Sequence, residues 1–394
     1  MKLFLLLFLI PLVTSAKVVP ELSGNLEGQF RQSDNNTEAK EDLFQNWNNE
    51  NFYLLYGNLN GKVEKDNSRV EANWFVRYSY SDLYEPNPPY FATKIFTFPN
   101  ELVARDLFKL QHKEQNGKEQ VESILNKFYY EIDLGQKRLM LGRMYINYGL
   151  GEIFNPINPF NQPTGLTSIS QVAQGNDGIS YTHFLTDSHS LQILLLGDKS
   201  RDNYEGDIDT TFWLHGELQH SGDLQWDYVL GKDQDRYKLG GQISYQTSRG
   251  MIFSQLLYRS ETTDNKSSHN LWDYLLGYDQ QLTGLWHLRF EGGYQKEDRS
   301  LNLTNLGERF LPTEYFLALA NIYEVHPLVK ISATLINDVK SGFSYFIGKS
   351  TYDMGNNLEA DAFVFTPFSK GDDADNAAQK LVTTDFGLAL RLFF

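Results

Sequence analysis

Apolar and polar residues alternate along much of this chain with a period of two, the spacing of strands that are greasy on one face only. The cleanest stretch sets Val70, Ala72, Trp74, Val76, Tyr78 and Tyr80 against Glu71, Asn73, Phe75, Arg77 and Ser79. Another sets Phe128, Tyr130, Ile132 and Leu134 against Lys127, Tyr129, Glu131 and Asp133. Comparable segments recur from Leu22–Arg31 through Asn51–Val63, Arg138–Tyr148 and Thr210–Leu218 to Leu381–Phe394. The repeat predicts an all-β chain of about 18 strands, with 16 as the other admissible even count.

Connector lengths point the same way. If the first strand runs outward, one set of connectors is mostly short and turn-like, as at Gly135–Lys137, Thr186–His189, Leu282–Gly284 and Val325–Pro327. The opposite set is long, polar and acidic, with 81–125 and 149–177 the longest; Lys232–Asp235 and Asp338–Ser341 are the short exceptions. Short turns at one end and long loops at the other belong to a transmembrane antiparallel up-and-down β-barrel. A β-sandwich would carry connectors of similar length at both ends.

Composition narrows the class. There are 23 Tyr, 27 Phe and 6 Trp, yet the mean hydropathy is negative. No apolar run approaches the ~18 residues of a membrane helix. Met1–Ala16 reads as a cleaved export signal, with Lys2, the apolar Leu3–Ile10 and the small residues Thr14-Ser15-Ala16. That leaves 17–394 as one barrel domain. Without Cys there is no lipid attachment site, disulfide or thiol chemistry. A formal charge of -15 argues against nucleic acid as a partner.

The chain ends on a strand in which Phe386, Leu388, Leu390, Leu392 and Phe394 alternate with Asp385, Gly387, Ala389, Arg391 and Phe393. This ending resembles the C-terminal recognition strand of bacterial outer-membrane β-barrels. The resemblance implies an outer-membrane location, lipid around the wall, and the barrel-assembly machinery as the partner that reads the strand.

The most individual stretch runs from Gly142 to Phe160: Gly142-Arg143, Tyr148-Gly149-Leu150-Gly151, then Phe154-Asn155-Pro156-Ile157-Asn158-Pro159. It resembles a strand-to-loop junction of porin-like outer-membrane proteins, Gly-Arg…Tyr/Trp-Gly-x-Gly…Phe-x-Pro-x-Asn/Asp-Pro. The resemblance implies a channel for passive diffusion of small hydrophilic solutes, without a cofactor. Tyr148 stands where Trp is commoner. Asn158 stands where Asp is common, which removes a carboxylate that could grip a cation.

The loop is uncharged between Glu152 and Asp177, which suits folding into the lumen better than facing an acidic outer surface. We therefore expect 149–177 to narrow the pore. The expected lining is Arg143, Tyr145, Asn147, Glu152, Asn155 and Asn158, with Glu131, Asp133, Arg289 and Glu291 from the wall. An acidic excess among inward positions predicts a weak cation preference, unless the charges pair across the wall and cancel. In 81–125, Pro86, Pro88, Pro89 and Pro99 fix an extended approach, and Glu101–Leu110 has the apolar spacing of a short helix at the outer mouth.

Rival chemistry is thin. Ser180 with His183 or His189 is the nearest approach to a lipase dyad, without a Gly-x-Ser-x-Gly turn. His269 with Asp264 and Asp273 is a weak protease rim, and the His residues show no metal-ligand spacing. A surface-binding or structural barrel, for adhesion or capsule attachment, is the remaining alternative. Monomer and trimer both remain open.

Overall fold

The computed structural model describes residues 20–34, 50–81, 107–158, 160, 175–199, 207–233, 236–262, 268–295, 314–340, 342, 344–369 and 384–394. The expected export signal lies outside them.

The strands are β1 (Glu21–Asp34), β2 (Glu50–Lys65), β3 (Ser68–Ser81), β4 (Gln111–Asn116), β5 (Glu119–Asp133), β6 (Lys137–Met144) and β7 (Asn176–Thr186). There follow β8 (His189–Asp198), β9 (Asp209–Ser221), β10 (Leu224–Asp233), β11 (Arg236–Gln246), β12 (Met251–Thr262) and β13 (Ser268–Thr283). The last are β14 (Trp286–Gln295), β15 (Tyr315–His326), β16 (Val329–Asp338), β17 (Ser344–Gly355), β18 (Leu358–Ser369) and β19 (Thr384–Phe393).

Each strand pairs antiparallel with its neighbours, and β19 pairs with β1, so 18 strands close a barrel. Closure pairs each of these 18 strands on both sides, as lipid requires of a spanning sheet. Phe394 and Gly24 exchange backbone hydrogen bonds of 2.8 and 3.0 Å across the seam. The expected short connectors are tight turns, at Asp66-Asn67, Asp187-Ser188, Gly222-Asp223, Gly284-Leu285, Pro327-Leu328 and Asn356-Asn357 among others. They all fall at one end.

Burial fixes which face is which. Leu26, Leu55, Trp74, Tyr130, Leu141, Ile179, Trp226, Leu256, Trp272, Leu319 and Leu390 are exposed on the outside of the wall. Alternate residues, such as Glu27, Asn73, Glu131, Gln242, Gln255 and Glu291, are buried on the inside. The greasy row of the C-terminal strand is part of that outer face: Phe386, Leu388, Leu390, Leu392 and Phe394 are all exposed. An oily outside and a polar inside are what the period of two encodes once the sheet closes.

Two stretches differ from the sequence reading. The first is the 81–125 region, which carries a further strand. β4 forms a hairpin with β5 through Gly117 (φ +57°) and occupies the edge of β5 above the point where β6 stops. Residues 101–106 of the expected Glu101–Leu110 helix lie outside the described residues, and 107–110 are not helical. A bulge at Asn126 lets β3 follow β5 along its whole length while the inward row switches from Ile124 to Lys127.

The second is Arg138–Tyr148, which ends as a strand at Met144. Gly142 sits at φ +125°, where a Cβ would collide with the Phe128 carbonyl, so only glycine allows the chain to bend there. Past that bend the strict alternation is lost.

Candidate functional site

After Met144 the chain leaves the wall and folds inward. Met144, Ile146 and Tyr148 are buried with Leu194 and Leu196 of β8, Trp213 of β9 and Val229 of β10. Tyr145 and Asn147 alternate with them and are exposed, so they face away from the wall toward the lumen. The Tyr148 hydroxyl donates to Gln192 at 2.7 Å, and its ring stacks on His215 at 4.2 Å. Burial pushes the pKa of this hydroxyl up, so it stays a neutral donor.

Gly149 (φ +73°) turns the chain on along the inner wall, where a side chain would meet Asn155 and Ile157. Leu150 N–H donates to Gln242 of β11 at 2.9 Å. Next comes the firmest anchor. Glu291 of β14 accepts the N–H groups of Glu152 (2.8 Å), Ile153 (3.0 Å) and Phe154 (3.3 Å). Arg289, two residues away on the same inward row, donates to the Leu150 carbonyl and pairs with Glu152 (3.2 Å), Asp279 (2.7 Å) and Glu291 (2.8 Å). Ile153 and Phe154 then enter an apolar cluster with Phe253, Leu275, Phe316, Ile336 and Phe365. The chain returns through Pro156 and Ile157, and Phe160 packs edge-on against Trp213 of β9 at 5.5 Å. Residues 145–158 and Phe160 thus run out from β6 to β14–β15 and back, inside the barrel.

Backbone donors in such a segment have no sheet partner and must find acceptors. A carboxylate taking three of them, and itself tied to Arg289, is a strong fixing point because hydrogen bonds to charged groups exceed neutral ones.

The structure sorts the expected lining residues. Glu152, Arg289 and Glu291 come together at the far turn of the segment, and Tyr145, Asn147 and Glu152 present side chains to the lumen. Asn155 and Asn158 do not line it. Both are buried, and they close the segment on itself, Asn155 Nδ2 donating to the Tyr148 carbonyl (2.6 Å) and Asn158 Nδ2 to Asn147 Oδ1 (2.6 Å).

Arg143 also departs from expectation. Its register puts it on the row of Leu139 and Leu141, which face outward, and it is 3% exposed. Its guanidinium fills the wall where β6 has left. It makes two 2.8 Å bonds to Asp177 of β7 and reaches the carbonyls of Phe108 (3.0 Å) and Leu125 (3.3 Å). Asp177 in turn accepts from the N–H groups of Leu107 and Phe108. Glu131 and Asp133 lie toward the turn end of β5, where Arg69 holds Glu131 at 2.8 Å and Arg138 stands 3.6 Å from Asp133. Among the described residues, none of their hydrogen bonds or ion pairs reaches the inward segment.

Sequence reasoning missed Gln192, His215, Gln242 and Gln255, which receive the segment, and Asp177, which holds Arg143. The four that receive the segment share one signal, a neutral polar side chain at an inward position in mid-strand; Asp177, a carboxylate at the start of β7 on the outward row, does not carry it. The lipase dyad does not form. Ser180 is buried on the inside, accepting from Gln192 at 2.9 Å, while His183 falls on the outward row and His189 contacts the exposed Tyr228. Asp264 lies outside the described residues, and Asp273 is taken by Arg259 at 2.9 Å.

A closed 18-strand antiparallel barrel, apolar outside, polar inside and entered by a folded segment, is a transmembrane β-barrel. Solved structures share this fold. They include Acinetobacter baumannii OccAB3 (TM-score 0.59, 9% identity, 95% of this chain and 99% of that chain). Pseudomonas aeruginosa OccK3 (OpdO) matches with TM-score 0.57 and 9% identity over 95% of each chain. P. aeruginosa OpdQ matches with TM-score 0.57 and 10% identity over 95% of this chain and 98% of that one. At these identities the likeness is one of fold. A scan against protein-family models finds no match, and neither does a search of curated proteins.

Proposed function

We propose that the barrel is an outer-membrane channel for passive diffusion of small hydrophilic solutes, narrowed by its inward-folded loop and weakly cation-preferring. The observation that carries the reading is the fastening of Glu152, Ile153 and Phe154 to Glu291 and Arg289 on the inside of the wall. A segment that merely capped the rim would have no reason to engage mid-wall carboxylates. The bond set also supports the cation preference: Glu152, Asp279 and Glu291 share Arg289, with His287 beside Asp279 (2.6 Å), and the Glu152 side chain is 63% exposed. Elsewhere the inward charges pair closely, as Lys127 with Glu71 (2.6 Å) and Arg391 with Glu27 (2.9 Å), which keeps the preference weak.

The test is single-channel conductance and ion selectivity in planar bilayers, on the wild type and on a variant lacking Ile153–Gln174. Conductance should rise several-fold on deletion, and cation preference should fall in Glu152→Gln. Unchanged conductance after deletion removes the constriction; absence of any channel removes the whole reading.

A further inference from the structure

Four asparagines face the lumen as a compact group on β1, β2 and β3. Asn25 stands directly opposite Asn58, and Asn60 directly opposite Asn73. Their rows are inward because Leu26, Leu55 and Trp74, on the alternate rows, are exposed outside. Asn73 Nδ2 donates to Asn60 Oδ1 at 2.5 Å and also to Asn58 Oδ1. Each primary amide offers two donors and a carbonyl with two lone pairs. Among the described residues, the amide groups of Asn25 and Asn60 have no acceptor, and the carbonyls of Asn25 and Asn73 have no donor. Asn73 is 7% exposed, yet none of the four amides is among the buried side-chain atoms without a partner, so the remaining donors and acceptors are open to the lumen.

We infer that this amide group is a binding station for a neutral, hydroxyl-rich solute, a mono- or disaccharide in chemical class, on its way through the channel. The inference rests on the channel reading and names its cargo. Adjacent sugar hydroxyls are donor and acceptor at once, so each amide can both give to them and receive from them. A carboxylate solute would need an unspent cation, but Arg391 is held by Glu27 (2.9 Å), Glu359 (3.1 Å) and Asp361 (3.3 Å), Lys127 by Glu71 (2.6 Å) and Lys62 by Glu64 (2.8 Å). A cationic solute would need an unspent carboxylate, but Glu27 is 1% exposed and engaged by Arg391 and Gln29. A nucleobase would need a ring face, and Tyr56 and Phe75, the neighbouring rings, are buried against one another at 4.6 Å. Neutral amide chemistry is what remains. Counted along the strands from the turn end, the group stands near the level at which Glu291 and Arg289 hold the loop. Tyr145 and Asn147, on the loop's lumen side, add a phenol and an amide to the same passage.

The experiment uses the full-length protein, refolded in detergent and placed in planar bilayers in potassium chloride, with sucrose as probe. Sucrose should reduce the ion current saturably, and a polyethylene glycol of equal hydrodynamic size should not. Asn60→Leu and Asn73→Leu should each raise the half-saturating sucrose concentration about threefold to tenfold, the loss of one or two neutral hydrogen bonds. Heat-shifted gel mobility establishes that each variant is a closed barrel. A conducting channel in which sucrose acts only through its size, or in which both variants keep the wild-type half-saturation, overturns the inference and leaves the channel intact. Absence of conductance in the wild type overturns both.

Discussion

The two sides of the lumen use similar residue types for opposite purposes. Around β8 to β15 the inward polar groups are consumed by the folded segment: Gln192 holds Tyr148, Gln242 holds Leu150, and Glu291 takes three consecutive backbone N–H groups. Around β19, β1, β2 and β3 the inward polar groups face one another. There Arg391 gathers three carboxylates, and Asn73 donates to both Asn58 and Asn60. No hydrogen bond or ring contact of residues 145–160 reaches these four strands among the described residues. A wall built to seat a segment places its acceptors singly, where peptide N–H groups arrive. A wall built to face the passage balances its charges in pairs and leaves amides available.

The boundary between the two sides is the place where disruption should cost most. Arg143 and Asp177 are each about 3% exposed and form a two-bond pair that plugs the wall where β6 turns inward. Removing one partner leaves an uncompensated buried charge, typically about 3–5 kcal/mol. Asp177→Ala should therefore lower the temperature at which the folded band is lost on unheated gels by far more than any change described below, and Arg143→Ala with Asp177→Ala should recover part of it. Equal loss in the single and double variants would show that the pair does not act as a unit.

Next in size is the far anchor. Glu291→Ala removes the acceptor of three N–H groups and one partner of Arg289. Charge-assisted bonds contribute about 1.5–3 kcal/mol each, so the far turn should detach while the barrel stays closed. The expected signature is a channel that flickers between wild-type and larger conductance, read at single-channel resolution. A quiet channel of wild-type size would mean that the apolar cluster around Phe154 and Phe316, rather than Glu291, holds the segment.

Arg391 is the corresponding test on the opposite side. Among the described residues, Arg391→Met leaves Glu27, Glu359 and Asp361 with one cation, Lys349, 3.3 Å from Asp361. The pore should become more cation-selective, seen as a larger reversal potential under a salt gradient. The effect on stability should be smaller than that of Asp177→Ala, because Glu359 is about one-third exposed and water can solvate it. An unchanged reversal potential would place this cluster off the ion path.

These differences show why the two sides were unequally legible in the sequence. The open side follows the period of two: alternation sets Glu71, Asn73, Phe75, Arg77 and Ser79 on one row, and Asn73, Phe75, Arg77 and Ser79 of that row are buried on the inside. The turns and the C-terminal strand were equally readable, because Gly, Pro and alternation act locally. The lined side was not. Where Gly142 bends the chain, alternation ceases to report direction, and Arg143 goes into the wall while Ile146 and Tyr148 go to the inner surface. The second anchor was half visible. Arg289 and Glu291 were recognisable as inward charges, but nothing local says that a peptide from 137–139 residues away will take up Glu291. β4 escaped for a related reason: Gln111–Asn116 is wholly polar, and it is a strand because β5 offers it an edge that β6 vacates.

The smallest effect is the most discriminating between the two sides. Tyr148→Phe keeps the ring on His215 and deletes only the 2.7 Å bond to Gln192. A single neutral hydrogen bond contributes about 1 kcal/mol, too little to move the unfolding temperature of the barrel measurably. It is enough to raise local opening of the inward segment about fivefold, since RT is about 0.59 kcal/mol. Amide hydrogen exchange in detergent should therefore quicken in peptides covering 145–160 and stay unchanged in β1, β2 and β3. Quickening on both sides together would mean that the segment and the open wall form one cooperative unit, and the division between a lined and an open side would have to be abandoned.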